Sequence, residues 1–345
     1  MRMPKKMRTL LAEKKYLITP GMTTPLQALI VEKVGFDFVY MGGYDTSLTL
    51  LGLPDVGFIT ETEMVANARN IAKAVNIPVI ADADTGYGNA INVIRTVEDF
   101  EAAGVAGIHI EDQVNPKRCG HMAGKMIIPF EEAVGKIKAA LEARKDKDFI
   151  IIARTDAIAA VGGGFNEALK RGKEFARIGV DMIFCEFPFP EIEYPKRFAE
   201  EIHKEFPSLP LFFNYSSNFK WCDSPLKFEA IAEMGYKVIS VSLAGLRVTM
   251  QAVWDYAIDL MRRGEEAEID FEKRLVGHPM EDFNKFAGFP KVRELESKYL
   301  PTEELRKKYE ESLGLYRKDS LCTTRTNLQR DAELGGSLPP YAGEE

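Results

Sequence analysis

Two acidic patches and one cysteine loop, all between residues 77 and 124, hold the residue types that could do chemistry. Asp82 and Asp84 end the apolar run Ile77-Pro78-Val79-Ile80-Ala81 and lead into Thr85-Gly86-Tyr87-Gly88. Two apart on an extended chain, they face the same side. Glu111 and Asp112 end a second run, Gly107-Ile108-His109-Ile110. Four acids at adjacent strand ends repel one another unless a cation lies between them. Hard oxygen ligands suit Mg²⁺, with Mn²⁺ as the alternative. Turn-forming aspartates after a strand would account for the first pair alone; the second acidic strand end favours the metal. Mg²⁺ keeps several waters, so some of the acids are expected to act through water.

Lys117-Arg118-Cys119-Gly120-His121 sets a thiol among three potentially cationic side chains. Such neighbours favour the thiolate and lower its pKa. The competing role, a small apolar filler, suits Cys185 inside an apolar run better than Cys119 in a polar, Gly-containing loop. No second cysteine lies near Cys119, which argues against dithiol redox work. A Cys–His protease arrangement would need an oxyanion hole and has no use for the acids.

These groups need a scaffold. The chain has 345 residues and a formal charge of −7, which does not point to nucleic acid. Its basic N-terminal segment interleaves Leu10 and Leu11 with lysines and arginines and reads as a short amphipathic helix packed on the domain. No apolar run reaches the ~18 residues of a membrane span. Cys119, Cys185, Cys222 and Cys322 show no paired spacing, so reduced thiols and a cytoplasmic location are expected. From residue 16 onward, apolar runs of Val, Ile and Phe alternate with helical patterns. The runs cover 16–21, 36–41, 77–82, 107–111, 149–153, 182–185, 209–213 and 238–241; the last helix covers 247–263. Continuous apolar runs are strands buried on both faces. Eight such units in about 250 residues predict an α/β protein, a (β/α)₈ TIM barrel, with a C-terminal helical extension. The barrel is placed at 1–265 and the arm and tail at 266–345. Gly42, Asp82, Asp84, Glu111, Arg154, Glu186, Asn214 and Ser242 all fall at C-terminal strand ends, the face where barrel active sites lie.

Asp82-Ala83-Asp84, His109-Ile110-Glu111-Asp112-Gln113, Lys117-Arg118-Cys119-Gly120-His121, Ala153-Arg154-Thr155-Asp156-Ala157 and Leu51-Gly52-Leu53-Pro54-Asp55 together resemble the isocitrate lyase / phosphoenolpyruvate mutase superfamily, over about residues 15–260. The cysteine loop is similar to that of its carbon–carbon lyases. The resemblance implies Mg²⁺ held by Asp82, Asp84 and Glu111, a mobile lid carrying Cys119 as general acid, and His121 and Glu186 orienting that side of the site. Arg154, Asn214 and Ser216 would stabilise a developing anion. The run 214–221 looks like the succinate-binding run of isocitrate lyases: Asn214, Ser216, Phe219 and Trp221 match, while Tyr215, Ser217, Asn218 and Lys220 depart. Strand-end capping would also place Asn214 and Ser216 there. Ser242-Leu243-Ala244-Gly245 looks like the Thr-Leu-Ala-Gly that follows, and Arg247 is similar to an arginine of methylisocitrate lyases. Ser240 stands where isocitrate lyases carry a bulky aromatic. Met41-Gly42-Gly43 departs from their Ser-Gly-Gly or Ser-Gly-Trp and loses a serine hydroxyl. The resemblance thus implies substrate contacts from Met41, Gly42, Gly43, Gly120, His121, Arg154, Asn214, Ser216, Ser242 and Arg247.

The activity implied is cleavage of a 2-hydroxy tricarboxylate: isocitrate to glyoxylate and succinate, as in the glyoxylate bypass, or 2-methylisocitrate to pyruvate and succinate. Oxaloacetate hydrolysis or cleavage of a substituted malate is the alternative within the superfamily. A non-catalytic barrel binding a dicarboxylate is the alternative outside it. The resemblance also implies a homotetramer with exchanged C-terminal helices, and no nucleic-acid or membrane partner.

Overall fold

The computed structural model describes residues 1–120, 122–223 and 226–311. Strand and helix alternate from the start. The order is α1 (Met3–Glu13), β1 (Leu17–Pro20), α2 (Pro25–Val34), β2 (Val39–Met41), α3 (Gly43–Leu51), α4 (Glu61–Ala74), β3 (Val79–Asp82), α5 (Ala90–Ala103), β4 (Gly107–Glu111), α6 (Phe130–Ala143), β5 (Ile150–Thr155), α7 (Phe165–Arg177), β6 (Met182–Cys185), α8 (Glu193–His203), β7 (Leu211–Asn214), α9 (Phe228–Glu233), β8 (Tyr236–Val241) and α10 (Ala244–Arg263). The strands form one eight-stranded parallel sheet in the order β1-β8-β7-β6-β5-β4-β3-β2. A parallel bridge between Gly21 and Tyr40 joins its two edges. The result is the nearly closed α/β TIM barrel that the alternation predicts.

The strands bury both faces, so each alternates between two apolar clusters. Val39, Met41, Ile108, Ile110, Ile183, Cys185, Phe213 and Ile239 pack outward against the helices. Leu17, Phe38, Tyr40, Ile80, Ile150, Ile152, Phe184, Phe212 and Val238 fill the barrel interior. Met7 of α1, fully buried, joins the interior cluster, so the amphipathic N-terminal helix closes the barrel's N-terminal end. Arg8 fixes it there, donating to the carbonyl of Asp148 (2.9 Å) and to Asp181 (2.7 Å).

Helix boundaries follow local chemistry. Thr60 and Glu63 cap α4 reciprocally, satisfying orphan N–H groups at its start. Gly35 and Gly104 end α2 and α5 with φ of +104° and +90°, a conformation that costs other residues far more. Helix α3 is not foreseen by the sequence reading. It begins at the Gly42-Gly43 strand end and stops at Gly52.

The chain divides into two compact units, 1–255 and 256–345, with the division inside α10. In the second unit follow α11 (Glu265–Leu275), α12 (Phe283–Phe286), α13 (Phe289–Tyr299), α14 (Thr302–Arg306) and a π-helical turn, Lys307–Glu311. Cys322 lies outside the described residues. No described helix is long and apolar enough to cross a membrane.

Candidate active site

A pocket opens among the C-terminal strand ends. Tyr40, Gly42, Gly43, Asp82, Arg154, Glu186, Asn214 and Ser242 line it from the strands, Lys117 and Cys119 from the cysteine loop. Its enclosed space is about 30 Å³, the scale of a water molecule. Cys119 is 3% exposed, so the loop lies over the pocket.

The acidic wall is held by backbone. Asp82 accepts from the N–H of Gly43 (2.9 Å) and of Asp84 (2.8 Å). Only glycine fits at 43, where a Cβ would come within 2.8 Å of Asp82 Oδ2. Asp84 sits in the left-handed region with φ +46°, a conformation that Asp tolerates better than most residues. Its carbonyl accepts from Glu111 N at 2.9 Å. Lys117 Nζ lies 2.7 Å from both Asp84 Oδ1 and Asp55 Oδ2. Burial works against that ammonium, but Asp55, Asp84 and Glu111 outweigh it and hold the lysine well above its usual range. Burial, with Asp82 and Asp55 nearby, raises the Asp84 carboxyl to about 7 despite Lys117. Burial also pushes Glu111 well above the usual carboxylate range.

The opposite wall is a polar chain. Arg154 chelates Asp156 (2.9 and 3.2 Å), reaches Glu186 Oε2 at 3.0 Å and approaches Glu111 Oε2 at 3.4 Å. Its guanidinium lies 4.7 Å over the Phe184 ring. Asn214 donates to both oxygens of Glu186 at 3.1 Å and accepts from Ser242 Oγ at 2.7 Å. Burial raises Glu186 to about 7, partly offset by Arg154. On the floor, Tyr40 OH meets His109 Nε2 at 3.0 Å, and His109 Nδ1 lies 3.5 Å from Asp82. Burial lowers His109 to about 4, which leaves it neutral.

Several expected residues lie elsewhere. Asp112 is not part of the acidic wall: it accepts from Thr155 Oγ1 (2.6 Å) and Asp156 N (2.9 Å) and pairs with Arg171 (3.2 Å). As the residue after Glu111 on a strand, it has to point to the other face. For the same reason Met41 faces outward, with Asn67 Nδ2 3.5 Å from its sulfur, while Gly42 and Gly43 line the pocket. Ser216 is buried outside the lining, and its side chain accepts from Asn218 N. Arg247 is exposed on α10 and does not line the pocket. Arg118 is exposed, while Lys117 lines the pocket with Cys119 and is shared by two carboxylates. His121 lies outside the described residues. Gly120 packs on Arg154; a Cβ there would come within 2.5 Å of Nη2.

Other residues carried no assigned role in the sequence. Lys125, fully buried, donates to Gly120 O (2.6 Å) and Asp156 (3.2 Å). Asp55 pairs with Lys117 and accepts from Cys119 N at 3.0 Å. Gln113 clasps the N–H and C=O of Arg118. Asp156, two residues after Arg154 on one strand face, was legible from period-2 spacing; Lys125 and Asp45 had no such signal.

Among the described residues no three His, Cys, Asp or Glu side chains gather closely enough to hold a metal by themselves. The three-carboxylate set is therefore not assembled as direct ligands. The donor chemistry still fits a hydrated Mg²⁺, which needs few direct carboxylates. Glu111 Oε1 and Asp55 Oδ1 are buried hard oxygens with no hydrogen-bond partner, beside Asp82 and Asp84.

The family described as phosphoenolpyruvate phosphomutase matches residues 7–261. An isocitrate lyase of Haloferax volcanii is 42% identical over 312 residues, covering 90% of each chain. A 2,3-dimethylmalate lyase of Eubacterium barkeri is 42% identical over 295 residues, 85% of this chain and 97% of that one. A phosphonopyruvate hydrolase structure in complex with oxalate and Mg²⁺ superposes with a TM-score of 0.75 at 28% identity, covering 87% of this chain and 100% of that one. Sequence, barrel and acid–cysteine pocket converge: the chain belongs to the phosphoenolpyruvate mutase / isocitrate lyase superfamily.

Proposed function

We propose that this chain is a Mg²⁺-dependent carbon–carbon lyase acting on a 2-hydroxy tricarboxylate, isocitrate or 2-methylisocitrate. The observation that carries the reading is one pocket lined by Cys119, Asp82 and the Arg154–Glu186–Asn214–Ser242 chain, with Asp84 tied to it through Lys117. Asp82 and Asp84, with Glu111 through water, would hold the metal, which supplies Lewis-acid stabilisation of oxygen charge.

The chain's own groups do the rest. A carboxylate of the site takes the hydroxyl proton. As the C–C bond breaks, an oxo acid leaves and the second fragment becomes an enediolate of succinate. Arg154 and Asn214, fixed before reaction by Asp156 and Glu186, stabilise that anion electrostatically. Cys119 Sγ delivers a proton to its carbon. One proton leaves oxygen and one reaches carbon, so the cleavage needs no external acid. The cavity is too small for such a substrate, so the cysteine loop must swing aside for entry and return to exclude water.

The 2,3-dimethylmalate lyase relative, equal in identity to the isocitrate lyase, keeps substituted malates in the test. The experiment offers isocitrate, 2-methylisocitrate, 2,3-dimethylmalate and oxaloacetate separately, with Mg²⁺ and with chelator, and detects products by mass. Metal-dependent release of succinate with glyoxylate or pyruvate is expected. Oxalate and acetate from oxaloacetate, without succinate from either tricarboxylate, would replace the reading.

A further inference from the structure

Asp45 lies in the first turn of α3 and lines the pocket, yet none of the chemistry above uses it. It is 1% exposed, and its Oδ2 has no hydrogen-bond partner. A buried polar atom left unpaired is costly to keep, so its retention calls for a partner that arrives later. Packing keeps it in place. At Gly21 a Cβ would come within 1.7 Å of the Ser242 carbonyl and 2.9 Å of Asp45 Oδ2, so only glycine there lets β1, β8 and α3 close around this carboxyl. Strand β2, which leads into α3, stands across the barrel from β6 and Glu186. Asp45 therefore belongs to the β1–β2 side of the pocket, across the barrel from Glu186.

The local charge decides what it can do. The pocket's two strong cations are engaged elsewhere: Lys117 with Asp55 and Asp84, Arg154 with Asp156 and Glu186. Burial, reinforced by the charges of Asp55 and Asp82, holds the Asp45 carboxyl well above its usual range. A neutral carboxyl is a hydrogen-bond donor.

We propose that Asp45 is a specificity residue whose carboxyl donates a hydrogen bond to an oxygen of the substrate at the β1–β2 end of the pocket, so that acids carrying a carboxylate or hydroxyl there are preferred over analogues carrying only hydrocarbon. This deepens the lyase reading and rests on it. Sites that hydrogen-bond a substrate group reject analogues lacking it far more strongly than apolar pockets reject an extra methylene.

The test measures kcat/KM for isocitrate and for 2,3-dimethylmalate with wild type, Asp45→Asn and Asp45→Ala. Asn is a neutral donor of the same shape, so Asp45→Asn should stay within about tenfold of wild type on isocitrate. Asp45→Ala should lose roughly 10–200-fold on isocitrate and much less on 2,3-dimethylmalate, shifting the ratio between them. Its melting temperature should not fall, since an unpaired polar group is removed; a structural residue would lower it. Asp45→Ser, smaller and still a donor, replaces the alanine variant if that fails to fold. An unchanged substrate ratio in both variants would overturn the proposal. Wild type inactive on every acid would overturn the lyase reading alone. The same ratio is then taken from calorimetric dissociation constants of isocitrate and 2,3-dimethylmalate, and equal loss for both, or binding of neither, overturns the role of Asp45.

Discussion

The two buried thiols separate by what surrounds them. Cys119 lines the pocket, whereas Cys185 points outward into the strand–helix core. A serine hydroxyl is a far weaker acid than a thiol. Cys119→Ser should therefore lose about 10²–10⁴-fold in kcat while binding product nearly as well, checked by steady-state kinetics and calorimetry with succinate. Cys185→Ser should instead lower the melting temperature, because it buries a hydroxyl among apolar groups. Glu186 offers a pH signature. Its carboxyl titrates near 7 in the fold against 4.5 ordinarily. Between those values the folded chain keeps a proton that the unfolded chain has released, so Glu186 makes stability fall as pH rises through that window and level off above it. Urea unfolding of metal-free protein at pH 5, 6, 7 and 8 should show this slope reduced in Glu186→Gln. It should not vanish, since Asp84, raised to about 7, contributes in the same direction.

The cysteine loop is tied down from three sides: Gln113 holds Arg118, Asp55 holds Cys119 and Lys117, and Lys125 holds Gly120. Lys125→Met would leave Asp156 with Arg154 alone and free the loop. Breaking a buried pair of this kind costs about 3–5 kcal/mol, measurable by urea unfolding, and the loop should become the first site of protease cleavage. The alternation of strands and helices was legible because parallel strands buried on both faces must be continuous apolar runs. Pocket residues at strand ends, Asp82, Arg154, Glu186, Asn214 and Ser242, were legible for the same reason: the run stops where the polar face begins. Met41 and Asp112 were misplaced because a strand alternates faces residue by residue, and neighbours in sequence are not neighbours in the pocket. Helix α3 hides behind glycines that read as a loop, and Asp45 hides with it. The clasps on the cysteine loop depend on contacts tens of residues apart, such as Asp55 with Lys117, which spacing along one chain does not reveal.

At the scale of the molecule, Trp254 and Met261 on α10 and Phe283 on α12 are 68%, 88% and 67% exposed. Exposed apolar side chains of this size favour association of the helices that carry them. A homotetramer built through the C-terminal helices is expected, and light scattering that finds a stable monomer at micromolar concentration would rule it out. Trp254→Glu combined with Met261→Glu should shift the mass downward. The seat of Met7 bears on a different matter, the order in which the fold is made. Its neighbours in the barrel floor, Leu17, Phe38, Ile150, Met182, Phe212 and Val238, come from strands spread over more than 200 residues of chain. No partial ring offers that seat, and contacts of such long range form late and slowly. The helix at the head of the sequence is therefore among the last to settle, and slowed amide exchange in α1 would time the completion of the ring.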